Sequence, residues 1–452
     1  MALYRLPDRI SIGVLARTFT PALLDEVIDA AGAREVRYRR LPARLVVVFM
    51  LACWLFTRSG YGLVMSRLAD AHALEGPGWR DWEVPSSGAI AKARARLGQR
   101  VPCPRRPCGR SLASMVQASW QTFATGSPNT LIVVDVVDPM VIWVAGGGFD
   151  APNNGTVVRT VNGGQTWQNV TAPDGTAHVF RDVEAVDANH AVVLASDTGN
   201  DGNGVFKPSR ISVTANGGHT WQTVFDANLS DFYNSVGFYD RRRGLAFSDP
   251  VGGKFPILET GNGGHKWKLA DPGGLPIALP SEFGRATGTS LVAVGPSNAW
   301  FGTNPEDDPG ARVFHTQDGG TTWTFATTPI PGGPAGIVSL SFRDRMNGLA
   351  VGGSAPTGQN DVGLGVAART SDGGATWFPV GPLHGFRNGV AWIPGLADTA
   401  VAVGHRGSDV SDDGGNTWTQ FDDSLFLLGV ACRSANACWA VGRGGIAAKL
   451  TI

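Results

Sequence analysis

Two different spacings of apolar residues divide the chain. Within residues 1–100 the apolar side chains recur at helical spacing, and the segment Leu45 to Phe56 is apolar on all sides. That pattern predicts a helix buried between other helices. Beyond residue 118 apolar and polar residues alternate in short segments, such as Ile337 to Phe342, between turns that contain glycine. Short alternating segments of this kind predict an all-β array.

A turn motif of eight residues occurs six times in the second part of the chain. Each copy reads Thr or Ser, any residue, Asn or Asp, Gly, Gly, any residue, Thr or Lys, and Trp, and the final tryptophans are 54, 46, 56, 54 and 41 residues apart. A repeat of this length is typical of a propeller blade.

The chemistry of this octet is structural. We expect its Asn or Asp side chain to bind N–H groups inside the turn, its glycines to supply positive φ, and its tryptophan to fill the gap between neighbouring blades. The residues with these roles are Asn162, Trp167, Asn216, Trp221, Asn262, Trp267, Asp318, Trp323, Asp372, Trp377, Asp413 and Trp418.

Six octets do not limit the ring to six blades. The segment Leu425 to Leu450 contains further strands without an octet, and Ala118 to Phe123 looks like a closing strand without a blade before it. Joining the two segments completes a seventh blade and removes exposed sheet edges. The predicted chain is therefore multidomain: a small all-α domain (1–100), a linker (101–117) and an all-β seven-bladed propeller (118–452).

Charge is distributed unevenly, although the net charge is zero. Residues 1–117 contain 18 Lys and Arg and 9 Asp and Glu, which leaves 20 basic and 29 acidic residues in the remainder. The basic part is the better candidate for nucleic-acid binding. Candidate phosphate contacts are Arg39, Arg40, Lys92, Arg94 and Arg96, for which the alternative is a solvated helix face.

The first part resembles the N-terminal domain of insertion-element transposases of the DDE class. The resemblance is carried, in order, by Leu6 to Leu15, Arg40 to Arg44 and Ala89 to Gly98. In that family a helical domain precedes an RNase-H-like domain whose three carboxylates hold two metal ions. Here the repeats follow instead, so the resemblance implies a transposase fragment that lacks the metal-holding carboxylates. Non-specific DNA binding by residues 1–117 is the expectation that remains.

The second part resembles another family. The octet is similar to the Asp-box of BNR-type propellers, and the segments Phe180 to Glu184, Gly244 to Pro250 and Gly407 to Ser411 extend the likeness to bacterial relatives of the photosystem II stability/assembly factor, over about residues 118–450. The resemblance implies a non-catalytic propeller that binds or chaperones an unknown protein partner. The chain then is a gene fusion, produced by insertion of a mobile element or by a join between two gene models.

Asp-boxes also occur in sialidases, so a glycoside hydrolase is the distant alternative. That chemistry needs a tyrosine nucleophile and an arginine triad, whereas the propeller offers only Tyr233 and Tyr239, and the paired carboxylates Asp182 and Glu184 are ordinary on a channel-lining strand. We expect no catalytic residue, no metal and no cofactor. A further alternative is a DNA-binding remnant with a passenger propeller.

A partner is expected to bind at the mouth of the channel. Long polar residues just ahead of the first strand of a blade belong there, with an ordinary hydrated rim as the alternative. The candidates are Arg181, Tyr233, Glu282, Arg285 and Arg387.

The compartment is judged from the N-terminus and the cysteines. No secretory signal and no apolar run long enough for a bilayer are visible, so we expect a cytoplasmic protein as encoded, without membrane insertion, although the propellers that it resembles are usually exported. Cys432 and Cys438 flank a short turn and can pair across a hairpin in an oxidising compartment.

Overall fold

The computed structural model describes residues 118–148, 154–172, 175, 178–196, 208–228, 231–270, 274–306, 310–357 and 361–452. The chain divides into two units, Met1–Ala113 and Ser114–Ile452, and every described residue belongs to the second unit. The expected helical domain (1–100), the linker (101–117) and the candidate DNA contacts Arg39, Arg40, Lys92, Arg94 and Arg96 lie outside the described residues.

Seven antiparallel sheets of four strands each form the described part of the chain. The strands are β1 (Ser119–Ala124), β2 (Leu131–Val136), β3 (Ile142–Gly146), β4 (Thr156–Thr160), β5 (Gln168–Asn169), β6 (Phe180–Ala185), β7 (Ala191–Ala195), β8 (Arg210–Thr214), β9 (Gln222–Asp226), β10 (Tyr233–Phe238), β11 (Gly244–Ser248), β12 (Ile257–Thr260), β13 (Lys268–Leu269), β14 (Leu291–Val294), β15 (Asn298–Thr303), β16 (Arg312–Thr316), β17 (Thr324–Thr327), β18 (Ile337–Phe342), β19 (Gly348–Ser354), β20 (Leu364–Thr370), β21 (Phe378–Pro379), β22 (Gly389–Trp392), β23 (Ala400–Gly404), β24 (Gly407–Ser411), β25 (Thr419–Asp422), β26 (Leu427–Ser434), β27 (Ala437–Gly442) and β28 (Ile446–Thr451). Short 3-10 turns cover Gly333–Ala335 and Arg443–Gly445.

Each sheet is one blade of a seven-bladed propeller, as the sequence predicts. Blades 1 to 6 take four consecutive strands each, β2–β5 through β22–β25, and blade 7 combines β26, β27 and β28 with β1. Second strands such as β3, with the sequence IWVAG, are buried along their whole length because a neighbouring blade covers each face. Seven apolar clusters lie between neighbouring blades, so the core is a ring of interfaces.

The ring closes in blade 7 through strands from distant parts of the sequence. β1 pairs antiparallel with β28, from Ser119 opposite Thr451 to Ala124 opposite Ile446. This arrangement is the predicted closure by Ala118 to Phe123 and the segment after Leu425. On the adjacent hairpin, Cys432 of β26 faces Cys438 of β27, and the two are joined by a disulfide.

The octets form one repeated turn between the third and fourth strands of blades 1 to 6. In blade 1 Thr160 Oγ1 accepts a hydrogen bond from Gly164 N at 3.0 Å, and Asn162 Oδ1 accepts one from Thr166 N at 2.9 Å. The matching bonds in the other five octets measure 2.9–3.1 Å and 2.9–3.0 Å. Gly163 and Gly164 have φ of 67° and 88°, the left-handed region that favours glycine.

The tryptophan of each octet packs against the blade that precedes its own. Trp167 of blade 1 meets Trp439 of blade 7 edge-on, and Trp221 of blade 2 meets Trp143 of blade 1 in the same way. Trp267, Trp323, Trp377 and Trp418 are buried in the next four interfaces. Each octet thus links the outer part of one blade to the core of its neighbour.

Within the described ranges no helix is long and apolar enough to cross a membrane.

Candidate binding cavity at the channel mouth

The inner strands of all seven blades begin around one cavity of about 690 Å³. We call it the mouth cavity. It is lined, at or just ahead of the start of each inner strand, by Ile132, Arg181, Asn234, Thr287, Val338, Asn388 and Leu428, one residue for each of blades 1 to 7. A concave space of this volume, built by convergent strands, lies within the usual range of ligand sites.

Two of the five candidate rim residues line the mouth cavity, namely Arg181 and Arg285. Arg285 Nη2 donates to Pro334 O at 2.6 Å, and its guanidinium lies 5.1 Å from the ring centre of Phe283. Burial lowers the pKa of Arg285, and the nearby Asp249 opposes that shift. This guanidinium is therefore held at the cavity wall by a carbonyl and a phenyl ring.

The other three candidates are buried and do not line this cavity. Tyr233 is 1% exposed and packs at the interface of blades 2 and 3, while Glu282 is 4% exposed and accepts a hydrogen bond from Arg312 Nε at 2.8 Å. Arg387 is fully buried, with Nε 2.8 Å from Asp409 Oδ2. Glu282 and Arg387 hold their loops in place through buried ion pairs, and Arg387 Nη2 has no hydrogen-bond partner among the described residues.

Sequence reasoning missed six polar residues that line the mouth cavity, among them Asn234, Asn388 and Asp249. Asn234 and Asn388 come one position after Tyr233 and Arg387, and Asp249 follows strand β11. Because side chains alternate along an extended chain, a shift of one residue exchanges the buried side for the channel side. The alternation of side chains along the strand could have identified Asn234 and Asn388. The longer side chains of Tyr233 and Arg387 instead directed the prediction to the neighbouring positions.

These polar residues form a small network. Asp249 Oδ1 accepts hydrogen bonds from Asn234 Nδ2 at 2.8 Å and from Gly284 N at 2.7 Å. Burial raises the pKa of the Asp249 carboxyl, while the two hydrogen bonds and Arg285 oppose that rise. The network joins blade 3 to the segment that leads into blade 4.

The rest of the mouth cavity is lined mainly by aromatic and aliphatic side chains, with the hydroxyl groups of Thr287, Ser354 and Thr357 among them. The phenyl rings are those of Phe232, Phe283 and Phe386, and Pro334 adds a further apolar surface. An apolar wall with a few fixed polar groups is the usual composition of a binding site for an organic ligand.

A second cavity of about 680 Å³ lies where the inner strands end. Asp135, Asp182 and Glu184 line it together with Arg343 and Cys432. Burial raises the pKa of Asp135 to about 6 and that of Asp182 to about 7. The pKa of Glu184 is raised well above its usual value, by burial first and then by the two neighbouring carboxylates.

The carboxylates at this end tie blades together. Asp182 Oδ2 accepts hydrogen bonds from Ser235 Oγ and Val236 N, each at 2.7 Å, and Asp135 Oδ2 accepts one from Ala185 N at 2.6 Å. In the part of the chain that the structure describes, no group of three His, Cys, Asp or Glu residues is arranged to hold a metal ion.

Comparison with known proteins supports both resemblances. Residues 9–102 match the family model described as the insertion element 4 transposase N-terminal domain. The chain is 24% identical over 370 residues to the chloroplastic photosystem II stability/assembly factor HCF136 of Oryza sativa subsp. japonica, across 80% of this chain and 79% of that protein.

Solved propellers share the fold. A structure of YCF48 bound to D1 peptide has 16% identity and a TM-score of 0.49, over 74% of this chain and 95% of that one. The GH74 xyloglucanase from Xanthomonas campestris has 15% identity and a TM-score of 0.51, over 73% of this chain and 53% of that one. At these identities the likeness concerns architecture alone.

Proposed function

We propose that residues 118–452 form a non-catalytic protein-binding module that holds an extended segment of a partner protein in the mouth cavity. The observation that carries this proposal is the cavity itself, in which seven blades bring Arg181, Arg285 and three phenyl rings together around about 690 Å³. Its similarity to a protein named as a stability/assembly factor is consistent with such a role.

The side chains that line the mouth cavity are better suited to binding a peptide than to catalysing a reaction. Phenyl rings provide large apolar contacts, and guanidinium groups donate hydrogen bonds to carboxylates or carbonyl oxygens. Both features recur where proteins recognise other proteins, because aromatic and Arg side chains carry much of the binding energy there.

Two groups that glycoside hydrolysis could use, Tyr233 and Asp182, are poorly placed for it. The Tyr233 hydroxyl belongs to a side chain that is 1% exposed, and burial raises its pKa further from the value that a nucleophile needs. Asp182 accepts hydrogen bonds through both oxygens, from Ser235, Val236 and Val183. A carboxylate engaged in this way is poorly placed to attack or protonate a sugar.

Peptide binding can be measured by fluorescence anisotropy with a pool of fluorescein-labelled short peptides of randomised sequence. We expect Phe232→Ala and Arg285→Ala to weaken binding at least about fivefold, the effect of one lost contact of about 1 kcal/mol. Phe378→Ala and Arg242→Ala are matched controls, since both side chains are exposed and lie outside the cavity. Equal effects of all four changes, or no binding at all, would contradict the proposal.

Enzymatic activity is the competing outcome. Hydrolysis of a fluorogenic sialoside or xyloglucan fragment that is abolished by Asp182→Asn in a folded protein would show that the propeller is a glycosidase.

A second function, DNA contact through residues 1–117, is favoured by the family match over residues 9–102 and by the excess of basic residues. Gel-shift titration of the full chain with a short DNA duplex tests it. We expect affinity to fall linearly on a log–log plot between about 50 and 200 mM salt, with a slope of about −0.9 for each phosphate neutralised. Replacing Lys92, Arg94 and Arg96 with Ala should reduce that slope, whereas an unchanged slope would assign the binding elsewhere.

The domain boundaries are part of the same proposal. If residues 101–117 are a linker between two folded units, brief treatment with trypsin cuts first after Arg105 or Arg110, since the bond after Arg106 is protected by Pro107. First cuts within 1–100 would argue against a separate domain there.

A further inference from the structure

Three polar atoms of residues that line the mouth cavity have no hydrogen-bond partner among the described residues: Asn234 Oδ1, Asn388 Oδ1 and Arg285 Nε. Asn234 is fully buried, and its Nδ2 donates to Asp249 Oδ1 at 2.8 Å. That bond fixes which end of the amide is the oxygen, since a reversed amide would set two acceptors against each other. Buried polar atoms in proteins are nearly always satisfied, by protein or by water, and since these three belong to the wall of one cavity, a ligand bound there would satisfy them together.

Asn388 is the most informative of them. Its side chain forms no hydrogen bond with the described residues, and only its main-chain N–H is engaged, by Val403 O at 2.7 Å. A side-chain amide carries both donor and acceptor groups, like a peptide group. Asn388 can therefore pair with the N–H and the C=O of one residue of another chain.

The set of free groups matches a main chain rather than an ion. Two amide oxygens and one guanidinium N–H require a ligand that alternates donors and acceptors, whereas a phosphate would face Asn234 Oδ1 and Asn388 Oδ1 with further acceptors. Two cations, Arg181 and Arg285, and one carboxylate, Asp249, line the cavity, so its net charge is +1 rather than the larger excess that a strongly anionic ligand needs.

We propose that the mouth cavity binds an extended peptide segment mainly through its main chain. Asn388 pairs with one peptide group, Asn234 Oδ1 accepts a main-chain N–H, and Arg285 donates to a carbonyl. Side chains of the segment then lie against Phe232, Phe283 and Phe386, which accept many apolar shapes. This inference rests on the proposed peptide-binding function and adds that recognition tolerates many sequences.

The test compares two fluorescein-labelled pools of randomised peptides, one unmodified and one N-methylated at alternate main-chain nitrogens. N-methylation removes N–H donors and keeps the side chains. We expect the intact full chain to bind the N-methylated pool at least about tenfold more weakly, the loss of one or two hydrogen bonds.

Asn388→Leu should weaken binding of the unmodified pool about fivefold. It should leave binding of the N-methylated pool nearly unchanged, because N-methylation has already removed the main-chain N–H that bonds to Asn388. Asn388→Asp keeps the acceptor and should restore part of the affinity. Asn189→Leu is the matched control, since Asn189 is exposed in the turn between β6 and β7. Thermal unfolding of each variant confirms that it folds.

The outcomes separate the two proposals. Equal affinity for the two pools would overturn main-chain recognition and leave the peptide-binding function standing. Failure to bind either pool would overturn both. A change in Asn388→Leu alone, without any effect of N-methylation, would show that Asn388 positions the wall and does not read the main chain.

Discussion

Ser235 Oγ donates a hydrogen bond to Asp182 Oδ2 at 2.7 Å, and this bond joins the inner strand of blade 3 to that of blade 2. Asp135 forms the corresponding tie between blades 1 and 2 through Ala185 N. The two carboxylates lie at the same end of the channel, where Glu184 adds a third. Three consecutive blades are therefore held together by groups that titrate near neutral pH.

We predict that the propeller loses stability as the pH rises from about 5 to about 8. Asp135 and Asp182 have folded pKa values of about 6 and about 7, above the usual 3.8, so the folded state holds more protons than the unfolded state between about pH 4 and pH 7. The free energy of unfolding then falls by up to about 1.4 kcal/mol per pH unit for each proton released. Urea unfolding across this range measures the slope.

Asp182→Asn removes one of these titrating groups and should flatten the pH dependence. Asp226→Asn is the control, because Asp226 is exposed on β9 and pairs with Arg210 at 2.6 Å outside this cavity. Stability that rises between pH 5 and pH 8 would show that the carboxylates are stabilised in their charged form.

The closing interface should depend strongly on Trp439. This side chain is fully buried between blades 7 and 1, with its ring centre 5.1 Å from that of Phe123 and 6.0 Å from that of Trp167. Its indole nitrogen has no hydrogen-bond partner in the described part of the chain, so truncation breaks no hydrogen bond there. We predict that Trp439→Ala lowers the free energy of unfolding by about 3–5 kcal/mol through the cavity that it leaves.

Denaturant unfolding, with Phe378→Ala as the control, measures this loss. Phe378 is 57% exposed, so its truncation should cost less than about 1 kcal/mol. Similar losses for the two variants would mean that the closing interface is loosely packed.

Substitution of two octet glycines distinguishes the cost of backbone strain from the cost of steric crowding. Gly164 has φ of 88°, and a Cβ there would lie 2.5 Å from the Trp439 ring, whereas Gly319 has φ of 78° with nothing within 4 Å. Substitution by Ala should cost about 1–2 kcal/mol at Gly319 from the backbone alone, and clearly more at Gly164. Thermal unfolding of both variants gives the comparison, and equal losses would exclude the crowding.

The disulfide should stabilise the last blade modestly. Cys432 and Cys438 are six positions apart in the sequence, and closing so short a loop contributes about 2 kcal/mol in the chain-entropy description. We predict that a reducing agent lowers the free energy of unfolding by that amount, while a variant with both cysteines replaced by Ala does not respond. An equal response of this variant would show that the effect of the reducing agent does not come from the Cys432–Cys438 disulfide.

Most of the propeller could be predicted from local sequence. The octets mark the end of the third strand in six blades, because only Asn or Asp, two glycines and a following tryptophan satisfy the turn and the neighbouring blade together. The closure was also predictable, since Ala118 to Phe123 lacks the strands that normally precede such a segment. The octets and the isolated closing strand can each be recognised within a short segment of the sequence.

The candidate site was less predictable because burial depends on distant partners. Nothing near Glu282 or Arg387 in the sequence reveals that Arg312 and Asp409 neutralise them in the fold. Asn234 and Asn388 are short, common residues, and only the direction of each strand shows that they face the mouth cavity. The local sequence pattern predicts that a residue lies at the start of a strand. It does not predict on which face of the strand the side chain lies.

The pairing of β1 with β28 sets an order of events in biosynthesis. A ribosome makes Ser119–Ala124 first among the blades and Ile446–Thr451 more than three hundred residues later, so the first strand waits without its partner throughout elongation. Until the last strand emerges, the nascent array is an open arc with an unpaired edge at each end. Chaperones or neighbouring nascent chains can reach those edges only in that interval.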